Sequence, residues 1–240
     1  MEKTRTLEDV QRVTATTLLP LGDAAATLCF GAAIDPALNA RAHAFCAALA
    51  AAPPPGLLEW APAFASVTLW HDPDVLPFAA LEDLCHRLIA APAPPRTGES
   101  HELPFCAEGD FAPDLAEVAQ VNGLSPGAWL DAFAHITFDV HMLGFLPGFA
   151  YLGGLPPYLD APRLATPRKT VPARSVAVAD GMCAAYPFAS PGGWRLVGRT
   201  PLKMFDARAL RPTLLAPGDR VRWRRIGLDE FFELEGQWRD

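Results

Sequence analysis

Arg195 and Arg199 stand four residues apart beside Gly192 and Gly193, in the segment Ser-Pro-Gly-Gly-Trp-Arg-Leu-Val-Gly-Arg-Thr-Pro that runs from Ser190 to Pro201. Read as a strand, this spacing puts both guanidiniums on one face. Two guanidiniums beside bare backbone N–H groups suit a carboxylate or phosphate, and a pair of structural ion-pair arginines is the competing reading. Asp139 and His141 lie two apart on another strand-like stretch, where Phe138, Val140 and Met142 alternate with them. They are candidates for a base and its orienter, or for a packed histidine beside an acid. A third segment, Gly144 to Pro156, reads Gly-Phe-Leu-Pro-Gly-Phe-Ala-Tyr-Leu-Gly-Gly-Leu-Pro. Its Phe145, Phe149 and Tyr151, with Trp194, are core, pocket wall or partner surface. Cys183 has no Lys, Arg or His within three residues and reads as a small buried hydrophobe. Neither a Gly-x-x-x-x-Gly-Lys-Ser/Thr phosphate loop nor a Gly-x-Ser-x-Gly elbow occurs.

The elements that would carry these residues fall into two groups. Residues 18 to 34 read as a strand closed by Gly31. Asp35 and Pro36 then open an Ala-rich helix to about Ala51. A second strand within residues 57 to 71 and a helix over 77 to 90 repeat the alternation, which predicts a small α+β domain of ferredoxin-like type over residues 1–95. The Pro-rich stretch 91 to 100 reads as a linker. A strand at 101 to 106 and helices over 113 to 121 and 126 to 134 follow, the last opened by Ser125 and Pro126. This helix pair imitates a DNA-binding helix-turn-helix, but its second helix carries Asp131 and no Lys or Arg, which argues against phosphate contacts. From Ile136 onward, short strands at 175–179, 194–198 and 221–226 between Gly and Pro turns predict a mainly-β barrel or sandwich. A domain of residues 96–240 follows from this.

Half of the 240 residues are hydrophobic, so a sizeable core is expected. Thirteen of the 20 basic residues lie between 163 and 225, against three of the 27 acids. That third of the chain either attracts an anionic ligand or partner, or is a solvated face balanced by acids elsewhere. Five cysteines without a Cys-x-x-Cys pair speak against a zinc site or a disulfide framework, and no metal is expected. Neither a signal peptide nor a membrane span is expected, and a reducing cytoplasm fits the cysteine usage.

The run from Gly144 to Leu155, with Pro167-Arg168, Val171-Pro172-Ala173, Ser190-Pro-Gly-Gly-Trp, Gly198-Arg-Thr-Pro-Leu and Pro217-Gly-Asp, closely resembles the family of 5-oxoprolinase B subunits, also described as allophanate hydrolase subunit 1 and as KipI-like kinase inhibitors. The resemblance implies a cyclophilin-like barrel behind the N-terminal α+β domain. It also implies two partners, a homologous cyclophilin-like C-type subunit and an A-type subunit. The complex of the three would open 5-oxo-L-proline to L-glutamate at the expense of ATP, with ATP not necessarily bound by this chain. Inhibition of a sensor histidine kinase, or a place in an allophanate or urea carboxyltransferase-type amidohydrolase, are the alternatives it leaves. Its motifs nominate Phe145, Pro147, Gly148, Phe149 and Arg168 as contacts for a small anionic substrate. Gly192, Gly193, Arg195, Arg199 and Thr200 complete that set. Arg174 stands where the family commonly has Gly, and Met182 and Cys183 where it commonly has Gln and Thr, which would remove hydrogen-bonding groups from one wall of the pocket.

Overall fold

Asp35 accepts the backbone N–H groups of Ala37 and Leu38, at 2.7 and 3.1 Å, and Pro36 follows it without a donor to satisfy. Helix α1 (Pro36–Ala51) therefore starts where the sequence places it. In the computed structural model, which describes residues 16–90 and 98–237, the chain divides into two units, 1–97 and 98–240.

The first unit holds α1, α2 (Phe78–Ala90) and four strands: β1 (Thr17–Pro20), β2 (Ala25–Cys29), β3 (Leu57–Pro62) and β4 (Ser66–His71). The strands form an antiparallel sheet in the order β1-β2-β4-β3. Alternate residues Ala26, Leu28, Val67 and Leu69 pack with Phe45 and Leu49 of α1 and Leu81 and Cys85 of α2. Two single-strand expectations are corrected here. Residues 18 to 34 contain most of a hairpin rather than one strand, and residues 57 to 71 contain a second hairpin. The missed strands, β1 and β3, are the sheet edges. They lack clean alternation, and each ends in a proline that an edge tolerates. The chain order is thus ββαββα.

Seven strands of the second unit make one sheet. They are β5 (Ser100–Phe105), β6 (Thr137–Leu143), β7 (Ala150–Gly153), β9 (Ser175–Ala179), β10 (Met182–Ala185), β12 (Arg195–Arg199) and β13 (Arg220–Arg225). Their order in space is β12-β9-β10-β7-β6-β13-β5, and all neighbours are antiparallel except β13 and β5. The sheet curls until its edges touch: Cys106, just past β5, exchanges two 2.8 Å hydrogen bonds with Arg199 of β12. A separate ribbon pairs β8 (Arg168–Val171) with β11 (Ser190–Gly192). Helices α3 (Leu115–Val121) and α4 (Pro126–Ala134) contribute Val118, Trp129 and Phe133 to a core shared with Phe105, Phe138 and Trp223. Trp129 stacks on Phe133 at 4.8 Å and donates its indole N–H to the Leu159 carbonyl. Helix α5 (Leu228–Gly236) packs Phe231 against Phe111. No helix among the described residues is long and apolar enough to cross a membrane.

Two bulges interrupt the register of the sheet. The β6–β7 register slips between Val140 and Met142, and His141, 4% exposed, lays its ring against Gly153, the cross-strand partner of Asp139. A similar slip between Leu196 and Gly198 interrupts β12 between Arg195 and Arg199.

Candidate functional site

The loop from Gly144 to Phe149 is closed by its own backbone: Gly144 N–H donates to the Phe149 carbonyl, and Phe149 N–H to that of Leu146. Phe145 and Gly148 both have left-handed φ, 67° and 80°. A Cβ on Gly148 would sit 2.7 Å from the Met204 carbonyl oxygen, so backbone packs directly on backbone there. This loop delivers Phe149 into a nest of rings. Tyr151, Tyr186, Phe145 and Trp194 lie at 4.9, 5.2, 5.3 and 5.9 Å, all edge-on. Phe149, Tyr186 and Trp194 are buried, while Phe145 is 60% exposed at the lip. The Arg163 guanidinium lies 5.7 Å from the Trp194 ring centre.

The β8–β11 ribbon brings a cation to this nest. Gly192 pairs with Arg168, and a side chain on Gly192 would collide with the Tyr186 hydroxyl. The Trp194 backbone N–H acts on the Tyr186 oxygen and lowers the pKa of the phenol. Burial pushes the Tyr186 phenol above its ordinary 10, and that N–H, Arg163 and Arg168 only partly oppose it. Tyr186 is thus a neutral O–H donor at neutral pH. Arg168 gives Nη2 to Asp114 at 2.7 Å, and the other oxygen of Asp114 accepts the Leu196 N–H at 2.7 Å. Asp114 sits at the N-cap of α3 but spends its carboxylate on these two groups rather than on its own helix. The Nη1 of Arg168 is buried without a hydrogen-bond partner among the described residues.

The structure therefore brings together Phe145, Phe149, Arg168, Gly192 and Gly193, the last packed near Pro167. Pro147 is exposed on the same loop and Gly148 is buried in it. The other candidates are engaged separately. Arg195 binds Glu117 at 2.7 Å and the Pro162 carbonyl at 3.0 Å. Arg199 donates to the Ala173 carbonyl and lies over Phe111, and burial with the nearby Arg174 charge lowers its pKa. Thr200 is fully buried, its hydroxyl accepting the Leu202 N–H. Asp139 faces Arg220 at 3.7 Å on β6. Much of the basic third is matched by acids: Arg211 pairs with Glu99, Arg224 with Glu230, and Arg225 with Asp131. No cluster of three or more metal-ligating side chains occurs among the described residues.

The three departures sit apart from the nest in different ways. Cys183 belongs to the apolar core with Leu152 and Val178, and burial pushes its thiol up. This corrects the expectation of a depleted pocket wall at that position. Met182 is buried beside it on β10. Arg174 keeps the left-handed φ, 68°, that a glycine would adopt freely. Its side chain donates to the Pro201 carbonyl and forms an ion pair with Glu235 of α5. Both partners are mostly buried, so Glu235→Gln should lower stability by about 1–3 kcal/mol. Adding Arg174→Gly should restore part of the loss, because it removes the orphaned charge and the backbone strain. Thermal midpoints of the single and double variants check this, and additive losses would contradict it.

Two residues of the nest escape a reading of the sequence. Asp114 is 54 residues from Arg168, with no local sign of the pairing. Tyr186 follows the apolar strand β10, and only its Tyr-Pro step marks it.

The family model described as carboxyltransferase domain, subdomain C and D, matches residues 16–215. The 5-oxoprolinase B subunit of Bacillus subtilis (strain 168) is 38% identical over 223 residues, covering 88% of this chain and 93% of its own. That of Escherichia coli O157:H7 is 39% identical over 170 residues, covering 70% and 78%. Among solved structures, TTHA0988 superposes with a TM-score of 0.75 at 38% identity, over 84% of this chain but 40% of its own length. This chain thus spans about two fifths of that one. The Kluyveromyces lactis urea amidolyase shares the fold, with a TM-score of 0.72 at 19% identity over 91% of this chain and 15% of its own. Sequence and fold together place the chain in the family of the carboxyltransferase domain, subdomain C and D, as a relative of the 5-oxoprolinase B subunits.

Proposed function

We propose that this chain is the B-type component of an ATP-using 5-oxoprolinase, which opens 5-oxo-L-proline to L-glutamate together with a homologous C-type subunit and an A-type subunit. The observation that carries this reading is the near end-to-end match to the B. subtilis 5-oxoprolinase B subunit. In the reaction the lactam C–N bond breaks, water supplies the new carboxylate oxygen, and ATP hydrolysis provides the driving force. The share of this chain is to hold and orient the substrate. 5-Oxoproline is a flat five-membered ring bearing one carboxylate, and edge-on aromatic rings beside an arginine suit that shape and charge.

ATP belongs in this reading to the assembled complex, since the chain lacks a phosphate loop of the Gly-x-x-x-x-Gly-Lys-Ser/Thr type. The greater length of TTHA0988 supports a chain that works joined to further domains. We read residues 1–95 as an α+β domain whose ββαββα chain order permutes the ferredoxin-like βαββαβ unit, residues 96–240 as a cyclophilin-like barrel, and the complex as cytoplasmic.

Co-expression with the cognate A-type and C-type subunits should yield a complex that releases glutamate from 5-oxoproline only when ATP is present. A correctly assembled complex without that turnover overturns the proposal.

A further inference from the structure

We propose that Arg168 and Tyr186 form a two-point seat for one carboxylate of a small ligand, with Asp114 as the residue that positions it. The inference rests on the reading of this nest as a substrate site, and it names the groups that select a carboxylate over a neutral lactam. Three observations converge on it. Asp114 fixes one edge of the Arg168 guanidinium through Nη2, and is itself fixed by the Leu196 N–H. The remaining Nη1 is buried and has no hydrogen-bond partner among the described residues. A buried guanidinium N–H left unpaired is costly, and a ligand oxygen would remove that cost.

Tyr186 supplies the second point. Its hydroxyl lies at the position a Gly192 side chain would take, and burial keeps the phenol neutral, so it has an O–H to donate. Gly192 links the two donors in space: it pairs with Arg168 in the ribbon, and its missing side chain leaves room for the Tyr186 hydroxyl. Arg168 is close enough for its charge to act on the phenol. One cationic and one neutral donor match the two oxygens of a carboxylate. The exposed ring of Phe145, itself packed edge-on against Phe149 and Tyr186, is left for the apolar ring of the ligand. The acid on the far side of the guanidinium keeps Nη1 oriented while lowering the net charge of the seat, which favours a monoanion over a phosphate.

The test has two arms. In the assembled complex, Tyr186→Phe and Arg168→Gln should each raise KM for 5-oxoproline about ten-fold or more, with a smaller effect on kcat. Arg168→Lys, which keeps the charge but loses the fork, should fall between Arg168→Gln and the unaltered protein. On the full chain and on the complex, cyclopentanecarboxylate and neutral 2-pyrrolidinone are compared as probes by ligand-observed NMR. Binding that favours the carboxylate and is lost in both Arg168→Gln and Tyr186→Phe supports the seat even if no 5-oxoproline turnover is found, so the two readings fail separately. Unchanged KM in folded variants, or no preference for the carboxylate probe in either preparation, overturns the seat. Melting midpoints establish that the variants are folded.

Discussion

Asp114→Ala is expected to destabilise the second unit by about 3–5 kcal/mol, because it removes one half of a largely buried ion pair and leaves the other half uncompensated. The carboxylate is 8% exposed and the Arg168 side chain 27%, so the residual access of the arginine to water draws the value toward the lower end. A second loss adds to the first: the Leu196 N–H, which now ends on Asp114, would face an apolar methyl. Asp114→Asn should cost less, since an amide oxygen can still accept one of the two donors. Denaturant midpoints with an unchanged slope would report this as a stability change. An alanine variant within about 1 kcal/mol of the unaltered protein would show that Arg168 finds other partners on its own.

Phe149→Ala is expected to cost a similar amount, about 3–5 kcal/mol, for a different reason. Phe149 is 2% exposed and meets four other rings, so truncation opens a void lined by aromatic edges that cannot collapse around a rigid loop. Phe149→Leu refills most of the volume and should lose less. Trp194, 5.9 Å from Phe149, reports the change directly: its fluorescence should shift to the red in the alanine variant as water reaches the ring. A midpoint shift without any spectral change would place the damage elsewhere in the fold.

The parts of this structure that are legible in the sequence are those encoded over a few residues. Asp35-Pro36 and Ser125-Pro126 open α1 and α4, because cap and first turn are contiguous in the chain. The aromatic loop and the Gly192-Gly193 step are legible for the same reason. Edge strands β1 and β3 are not, since one side of each has no partner strand among the described residues and their burial pattern is weak. Nor are the bulges at His141 and in β12: one extra residue reverses which face follows it, and the register that requires it is set by the neighbouring strand. The contact of Asp114 with Arg168 joins a helix end to a ribbon and depends on the finished fold.

Strand β13 has a bearing on how the protein is made. It lies between β6 and β5, pairing with both, although it follows every other strand of the sheet in the chain and so leaves the ribosome after them. Until residues 220–225 emerge, β5 and β6 each present an unpaired edge, and Val221 and Trp223 are missing from the core they complete. The earlier strands can form hairpins during synthesis, but the curled sheet closes only once β13 has been inserted. Throughout the translation of residues 100–219 the nascent sheet is therefore open, the period in which a chaperone or an early binding partner has most to protect.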